Sequence, residues 1–141
     1  MKTKSIMDEI NEQTQYKGYT LFPFGDNAYK DLDELFNIIE EKCNEDGKKY
    51  IYAYSTEPDS SMHELGTDCI EVKEIIFDLN KRIESLSKKL ENAIIFVVAD
   101  HGHKNIDKNY SILDYPEIQE CLIMPISLES RVVNFWVKED M

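Results

Sequence analysis

No stretch of this sequence approaches the ~18 consecutive apolar residues of a membrane span, no two cysteines stand in a CxxC pair, and there is no excess of positive charge. Each absence excludes something. Cys43, Cys69 and Cys121 are odd in number and far apart, which argues against a disulfide framework or a thiolate zinc site and makes reduced thiols in a cytoplasmic compartment the expectation. The formal net charge of -12, from 28 acidic against 16 basic residues, repels phosphate backbones and anionic lipid, so neither nucleic acid nor membrane is expected as a partner. An anionic substrate would need cations, which bound metal can supply. The basic residues at the N-terminus have no apolar h-region behind them, so the chain as given reads as soluble and untargeted. Internal repeats, low-complexity tracts and linkers are lacking too, and residues 1–141 read as a single domain.

What is present is a globular mixture, 42% apolar and 31% charged, outside the composition of disordered chains. A short helix over Ser5 to Gln13 is expected, with an unanchored start, followed by an extended run at Tyr19 to Phe22. Leu32, Leu35, Phe36, Ile39 and Cys43 recur at helical steps and predict a helix from Tyr29 to Cys43. Tyr50 to Tyr54 reads as a strand buried on both faces, its tyrosines alternating in packing. Val72, Ile75, Ile76, Leu79, Ile83, Leu86 and Leu90 predict a long amphipathic helix from Thr67 to Glu91, with Ile75, Leu79, Ile83 and Leu86 in the core. Ala93 to Ala99 is continuously apolar and mostly β-branched, as a central strand is. Strand, helix, strand predicts a right-handed βαβ unit with parallel strands. A helical turn over Pro116 to Glu120 and strands at Cys121 to Met124 and Arg131 to Val137 complete the reading.

That unit carries two chemistry-bearing segments, Pro-Asp-Ser-Ser-Met-His at 58–63 and Ala-Asp-His-Gly-His at 99–103. Each follows a strand, and parallel strands deliver both to one carboxyl edge, where open α/β sheets place their ligands. Asp59 and His63 stand four apart, so a helical turn puts both on one face toward one cation. Asp100 and His101 are adjacent and can share an ion only if the chain leaves the strand there, an exit that Gly102 permits. Carboxylate oxygen with imidazole nitrogen suits Zn²⁺, and Mn²⁺ or Fe²⁺ less selectively. All three histidines of the chain, His63, His101 and His103, fall in these two segments. The plain alternative is that Asp59 caps the long helix, Asp100 and His101 are turn residues, and His63 and His103 are solvated; spacing alone does not decide between the two.

Ala-Asp-His-Gly-His after an apolar strand, with Pro-Asp-x-x-x-His-x-x-Gly upstream, resembles the alkaline phosphatase superfamily, and within it the nucleotide pyrophosphatase and type I phosphodiesterase branch. The resemblance covers about Tyr50 to Val137, including Asp-Tyr-Pro at 114–116 and Glu-Ser-Arg at 129–131; the first fifty residues match only in general character. It implies an α/β fold, a mainly parallel sheet flanked by helices, as in the central portion of an alkaline-phosphatase-like domain. It also implies that Asp59 and His63 bind one divalent ion and Asp100 and His101 a second, zinc first and manganese next. Such paired ions stabilise the attacking and leaving oxygens of a phosphoryl displacement.

The family's metal-binding Asp and Thr or Ser nucleophile before this point have no counterpart in the motifs, nor has its late metal-binding His. Thr56, Ser60 and Ser61 lie in the ligand segment and not in the nucleophile's place. The expectation is therefore a truncated phosphohydrolase domain acting on small phosphate esters through its family, inactive alone, which associates with itself or with a complementing segment. The rival expectations are a non-catalytic remnant and an acidic metal-binding or interaction module. His103 is expected as a solvated bystander first and an additional ligand second, and Arg131 as the partner of a nearby carboxylate.

Overall fold

The structure is a computed structural model that describes residues 3–127 and 132–139. It divides into two compact units, Met1–Asn105 and Ile106–Met141. In the first unit the order is α1 (Ile6–Gln13), β1 (Lys17–Leu21), α2 (Leu32–Asn44), β2 (Lys49–Ala53), α3 (Asp59–Leu65) and α4 (Ile70–Lys89). The class is α/β, as expected, and its sheet is a parallel pair, β1 with β2, in the register Lys17 to Lys49 through Leu21 to Ala53.

Helix α1 is anchored, contrary to expectation. Ser5 and Asp8 form a capping box, the Ser5 hydroxyl accepting the Asp8 N–H at 3.2 Å and the Asp8 carboxylate accepting the Ser5 N–H at 2.9 Å, which satisfies two of the free donors at the helix start. Asn11 then binds the strand beside it, donating to the Gly18 carbonyl at 3.0 Å and accepting the Gly18 N–H at 2.8 Å. Met7 is buried on this side, and a Cβ on Gly18 would meet its sulfur at 3.1 Å. A glycine is needed there because helix and strand approach so closely.

Helix α2 crosses between the two strands. Asp31 caps it, accepting the Glu34 N–H at 2.8 Å, and Leu35 of its apolar stripe is buried. At its far end Glu45 accepts from Tyr19 at 2.5 Å and from Lys42 at 2.8 Å, tying the exit of α2 to β1. The Lys42 ammonium first, then the Tyr19 hydroxyl, hold the Glu45 carboxyl down at about 2.

Two expectations are corrected. Strand β2 is not buried on both faces: Tyr50 and Tyr52 are exposed, because a two-stranded sheet offers cover on one side. The segment 93–99 forms no strand among the described residues. It has no regular structure after α4, and Ile94, Phe96 and Val98 are each more than 80% exposed, since no neighbouring strand accepts its ladder of N–H and C=O groups. The βαβ unit is therefore β1–α2–β2, with the parallel strands expected but with a different pair. Helix α4 has the predicted position. Val72 and Leu86 are its buried residues, Ile75, Leu79 and Ile83 are half-buried, and Ile76 and Phe77 are open. Arg82 bridges Asp78 and Asp33, and Lys89 reaches Glu40 at 2.7 Å, which joins α4 to α2.

The second unit holds a short 3-10 turn, Ile112–Asp114, and α5, Pro116–Cys121, where a helical turn was expected. The two expected strands appear as an irregular antiparallel contact: Leu122 bridges Val137, and Ile123 donates to the Trp136 carbonyl at 2.8 Å. Glu129, Ser130 and Arg131 lie outside the described residues.

Candidate metal centre

The C-terminal end of β2 leads directly into the first motif. Tyr54 donates to the Leu21 carbonyl at 3.0 Å, extending the ladder one residue past β2, and its own carbonyl accepts the hydroxyl of the buried Tyr29 at 2.7 Å. The chain then turns through Thr56 to Pro58, and α3 begins at Asp59 itself. Its first turn closes through Ser60 donating to the Thr56 carbonyl and Met62 to the Pro58 carbonyl, while the Glu57 carboxylate accepts the Ser61 N–H at 3.3 Å. One turn later His63 lies on the Asp59 face, its Nε2 3.6 Å from Asp59 Oδ2. Helical spacing therefore brings these two side chains together. Asp59 does not cap the long helix, whose N-cap is Cys69.

The second motif folds back onto the first. His101 Nε2 lies 3.8 Å from Asp59 Oδ1 and the same distance from Asp100 Oδ1. Asp100 also accepts the His101 N–H at 3.0 Å, and with its side chain 79% exposed it reaches the cluster through His101. Gly102 adopts no left-handed conformation and has open space around it, so the turn out of the 93–99 run does not depend on glycine.

His103 is where the structure departs most from expectation. Its side chain is 6% exposed, and its Nε2 stands 2.5 Å from Asp59 Oδ1. The His63 ring meets it edge-on at 4.7 Å between centroids and the His101 ring lies at 5.2 Å. It is not a solvated bystander. The Asp59 carboxylate on α3 gives the ring a polar partner, and the His63 and His101 rings lie beside it. The hydrogen bond from His103 holds the Asp59 carboxyl below the usual 3.8, against the opposing effect of burial, with His63 and the other imidazoles lowering it further.

A residue the motifs did not reveal joins the two segments. Asn105 Oδ1 accepts the Thr67 N–H at 2.7 Å and the Thr67 hydroxyl at 3.1 Å, and its Nδ2 donates to Asp68 at 2.8 Å. In a loop rich in Lys, Asn and Asp, this asparagine reads as turn chemistry; only the returning chain shows its partner. Just before Thr67, Gly66 ends α3 at φ 82°.

Donor atoms of Asp59, His101 and His103 all lie within 4.8 Å of one another. Ligands at zinc-like bond lengths in a tetrahedron sit about 3.3 Å apart, a spacing of the same order, and carboxylate with imidazole is a donor combination that zinc accepts. Residues 4–140 match the family described as type I phosphodiesterase / nucleotide pyrophosphatase. The chain belongs to that family. No curated protein and no solved structure gives a match. The match takes in the first fifty residues, where the motifs were silent, and the α/β architecture agrees with part of an alkaline-phosphatase-like domain. Membership indicates phosphodiesterase- or pyrophosphatase-type activity on phosphate esters, in a family that is generally metal-dependent. No helix among the described residues is long and apolar enough to cross a membrane.

Proposed function

We propose that this chain carries the metal-ligand part of a phosphodiesterase or nucleotide-pyrophosphatase site, with Asp59 and His63 on one divalent ion and Asp100 and His101 on a second, zinc ahead of manganese. The observation that supports it is the convergence of His63, His101 and His103 on the single carboxylate of Asp59. When bound, the ions polarise a phosphoryl oxygen and balance the charge that develops as the ester bond breaks. Asp59 and Asp100 supply negative charge to hold them in place, and the imidazoles fix their direction from a short helix and a folded-back loop.

The nucleophile is not assigned to any residue of this chain, since Thr56, Ser60 and Ser61 share the ligand segment. The chain alone is therefore inactive in this reading and works with a complementing segment or a second copy. The exposure of the apolar run 93–99 supports that need; it equally favours the second reading, a non-catalytic remnant that keeps its ligands. Free Cys43, Cys69 and Cys121 suit a reducing, cytoplasmic setting.

Calorimetric titration of Zn²⁺ or Mn²⁺ into wild type and into an Asp100→Asn, His101→Ala double variant tests the metal assignment, and equal binding by both proteins removes it. Metal-dependent release of nitrophenol from a nitrophenyl phosphodiester by the purified chain alone removes the assignment of inactivity.

A further inference from the structure

We propose that Tyr29, which lies outside both motifs, is a positioning residue of the metal centre: its hydroxyl pins the exit of β2, and with it the start of the helix that carries Asp59 and His63. The inference rests on the metal-binding reading above and adds to it a residue that holds no ion.

Tyr29 joins the carboxyl ends of both strands. Its backbone N–H donates to the Phe22 carbonyl at 3.2 Å, one residue beyond β1, and its hydroxyl donates to the Tyr54 carbonyl at 2.7 Å, one residue beyond β2. The second bond spans 25 residues of sequence. Tyr29 is 8% exposed, and a phenol so enclosed has a fixed partner because its O–H has no water to turn to. Burial raises the hydroxyl above its ordinary 10.0, with the Ser55 side chain acting the other way. Tyr29 therefore stays a donor throughout the neutral range.

From the β2 exit the hydrogen bonds continue into α3. Ser55 Oγ accepts the Glu57 N–H at 3.1 Å, the Glu57 carboxylate accepts the Ser61 N–H at 3.3 Å, and the Thr56 carbonyl accepts the Ser60 N–H at 2.9 Å. The residues that Tyr29 holds are thus bonded to the two that directly follow Asp59.

Helix α3 needs such an anchor. It has seven residues, no side chain caps its start, and none of its residues is buried. A helix this short does not hold itself together in water, so it takes its position largely from the chain at its two ends. The far end is tied at Thr67 by Asn105. The near end is the β2 exit, which Tyr29 fixes.

The test combines amide hydrogen exchange with Zn²⁺ calorimetry on the full chain, using wild type, Tyr29→Phe, Ser55→Ala, Val72→Ala and the Asp100→Asn, His101→Ala double variant. Tyr29→Phe keeps the ring and removes only the hydroxyl. The expected result is exchange about tenfold faster at Ser61 to Gly66, little change in α4, and Zn²⁺ affinity about tenfold weaker. Ser55→Ala should move both readouts the same way by less, and it keeps the question open to test if Tyr29→Phe folds poorly. Val72→Ala should lower the urea midpoint and leave the affinity alone. If Tyr29→Phe leaves either α3 exchange or Zn²⁺ affinity as in wild type, Tyr29 does not position the ligands. If Val72→Ala weakens Zn²⁺ binding as much as Tyr29→Phe does, the effect is one of general stability and the proposal also falls. If the double variant binds Zn²⁺ like wild type, the metal reading fails by itself, and α3 exchange still decides whether Tyr29 holds the helix.

Discussion

Asn105 Oδ1 accepts the backbone N–H of Thr67 at 2.7 Å across 38 residues of sequence. That bond ties the loop two residues beyond His103 to the exit of the helix that carries Asp59 and His63. The side-chain bonds of Asn105 run to Thr67 and Asp68, and they set how far apart the two motifs can drift.

Replacing Asn105 with Ala should therefore loosen the metal centre more than the fold. The bonds to Thr67 and Asp68 lie at the surface, so their loss should cost about 1 kcal/mol. Zn²⁺ affinity should fall about tenfold, as it does when groups that orient ligands are removed. Urea denaturation and calorimetry on the same preparation separate the two effects, and an unchanged affinity would show that the motifs hold together without this clamp.

Gly66→Ala should be worse tolerated than its exposure suggests. Its φ of +82° lies in the region that L side chains rarely adopt, and an added Cβ would meet Asn105 Oδ1 at 3.0 Å. Strain at such a position costs about 1–3 kcal/mol, here together with displacement of the Asn105 clamp. A lowered urea midpoint with a parallel loss of Zn²⁺ affinity is the expected outcome.

Val72→Ala probes the core that α4 packs into. Val72 is fully buried on α4, and removing its two methyl groups takes away burial worth roughly 0.8 kcal/mol per group plus a cavity contribution, about 2 kcal/mol in all. A shift in denaturation midpoint without a change in slope is expected; a shift of a few tenths would mean that the neighbours of α4 collapse into the gap.

Acid should release α2 from β1. The Glu45 carboxyl is depressed from 4.5 to about 2 by Lys42, Tyr19 and Lys17. A depressed folded value means that its stabilisation is fully present above the ordinary value of 4.5 and is lost as pH falls toward about 2. The difference in denaturation midpoint between wild type and Glu45→Gln should thus shrink steadily over that window. A constant difference would mean that Glu45 acts through packing and not through charge.

The apolar run 93–99 should drive association. Ile94, Phe96, Val97 and Val98 are all exposed in a segment without regular structure, an apolar run that a second chain can cover. Sedimentation at rising concentration should show larger species for wild type and monomer for Phe96→Glu with Val98→Lys; identical behaviour would assign the exposed run no role in assembly.

Much of the local structure was legible in the residues themselves. The 3.6-residue spacing of Leu32 to Cys43 and of Val72 to Leu90 marks α2 and α4, and Asp59 and His63 four apart on a turn of helix meet as their spacing requires. Periodicity reports a helix because its apolar face repeats locally, whichever neighbour covers it. Strand pairing carries no such local record. Ala93 to Ala99 has the composition of a buried strand, but a strand forms only where another chain segment completes its hydrogen bonds, and the parallel partner of β2 turned out to be β1. The Ser5–Asp8 box is written in the sequence as Ser-x-x-Asp, but the helix behind it is only weakly apolar, so its periodicity does not mark an anchored start.

The site divides in the same way. Sequence by itself determined which groups are available: three histidines and two aspartates in two short segments, and membership of the chemistry those segments carry. Only the tertiary structure decided that His103 lies enclosed against Asp59 Oδ1 and that Asn105 fastens the loop to Thr67. Both contacts join residues about forty positions apart, and their distances depend on how α3 and the returning chain pack, a relation that no spacing along the chain encodes.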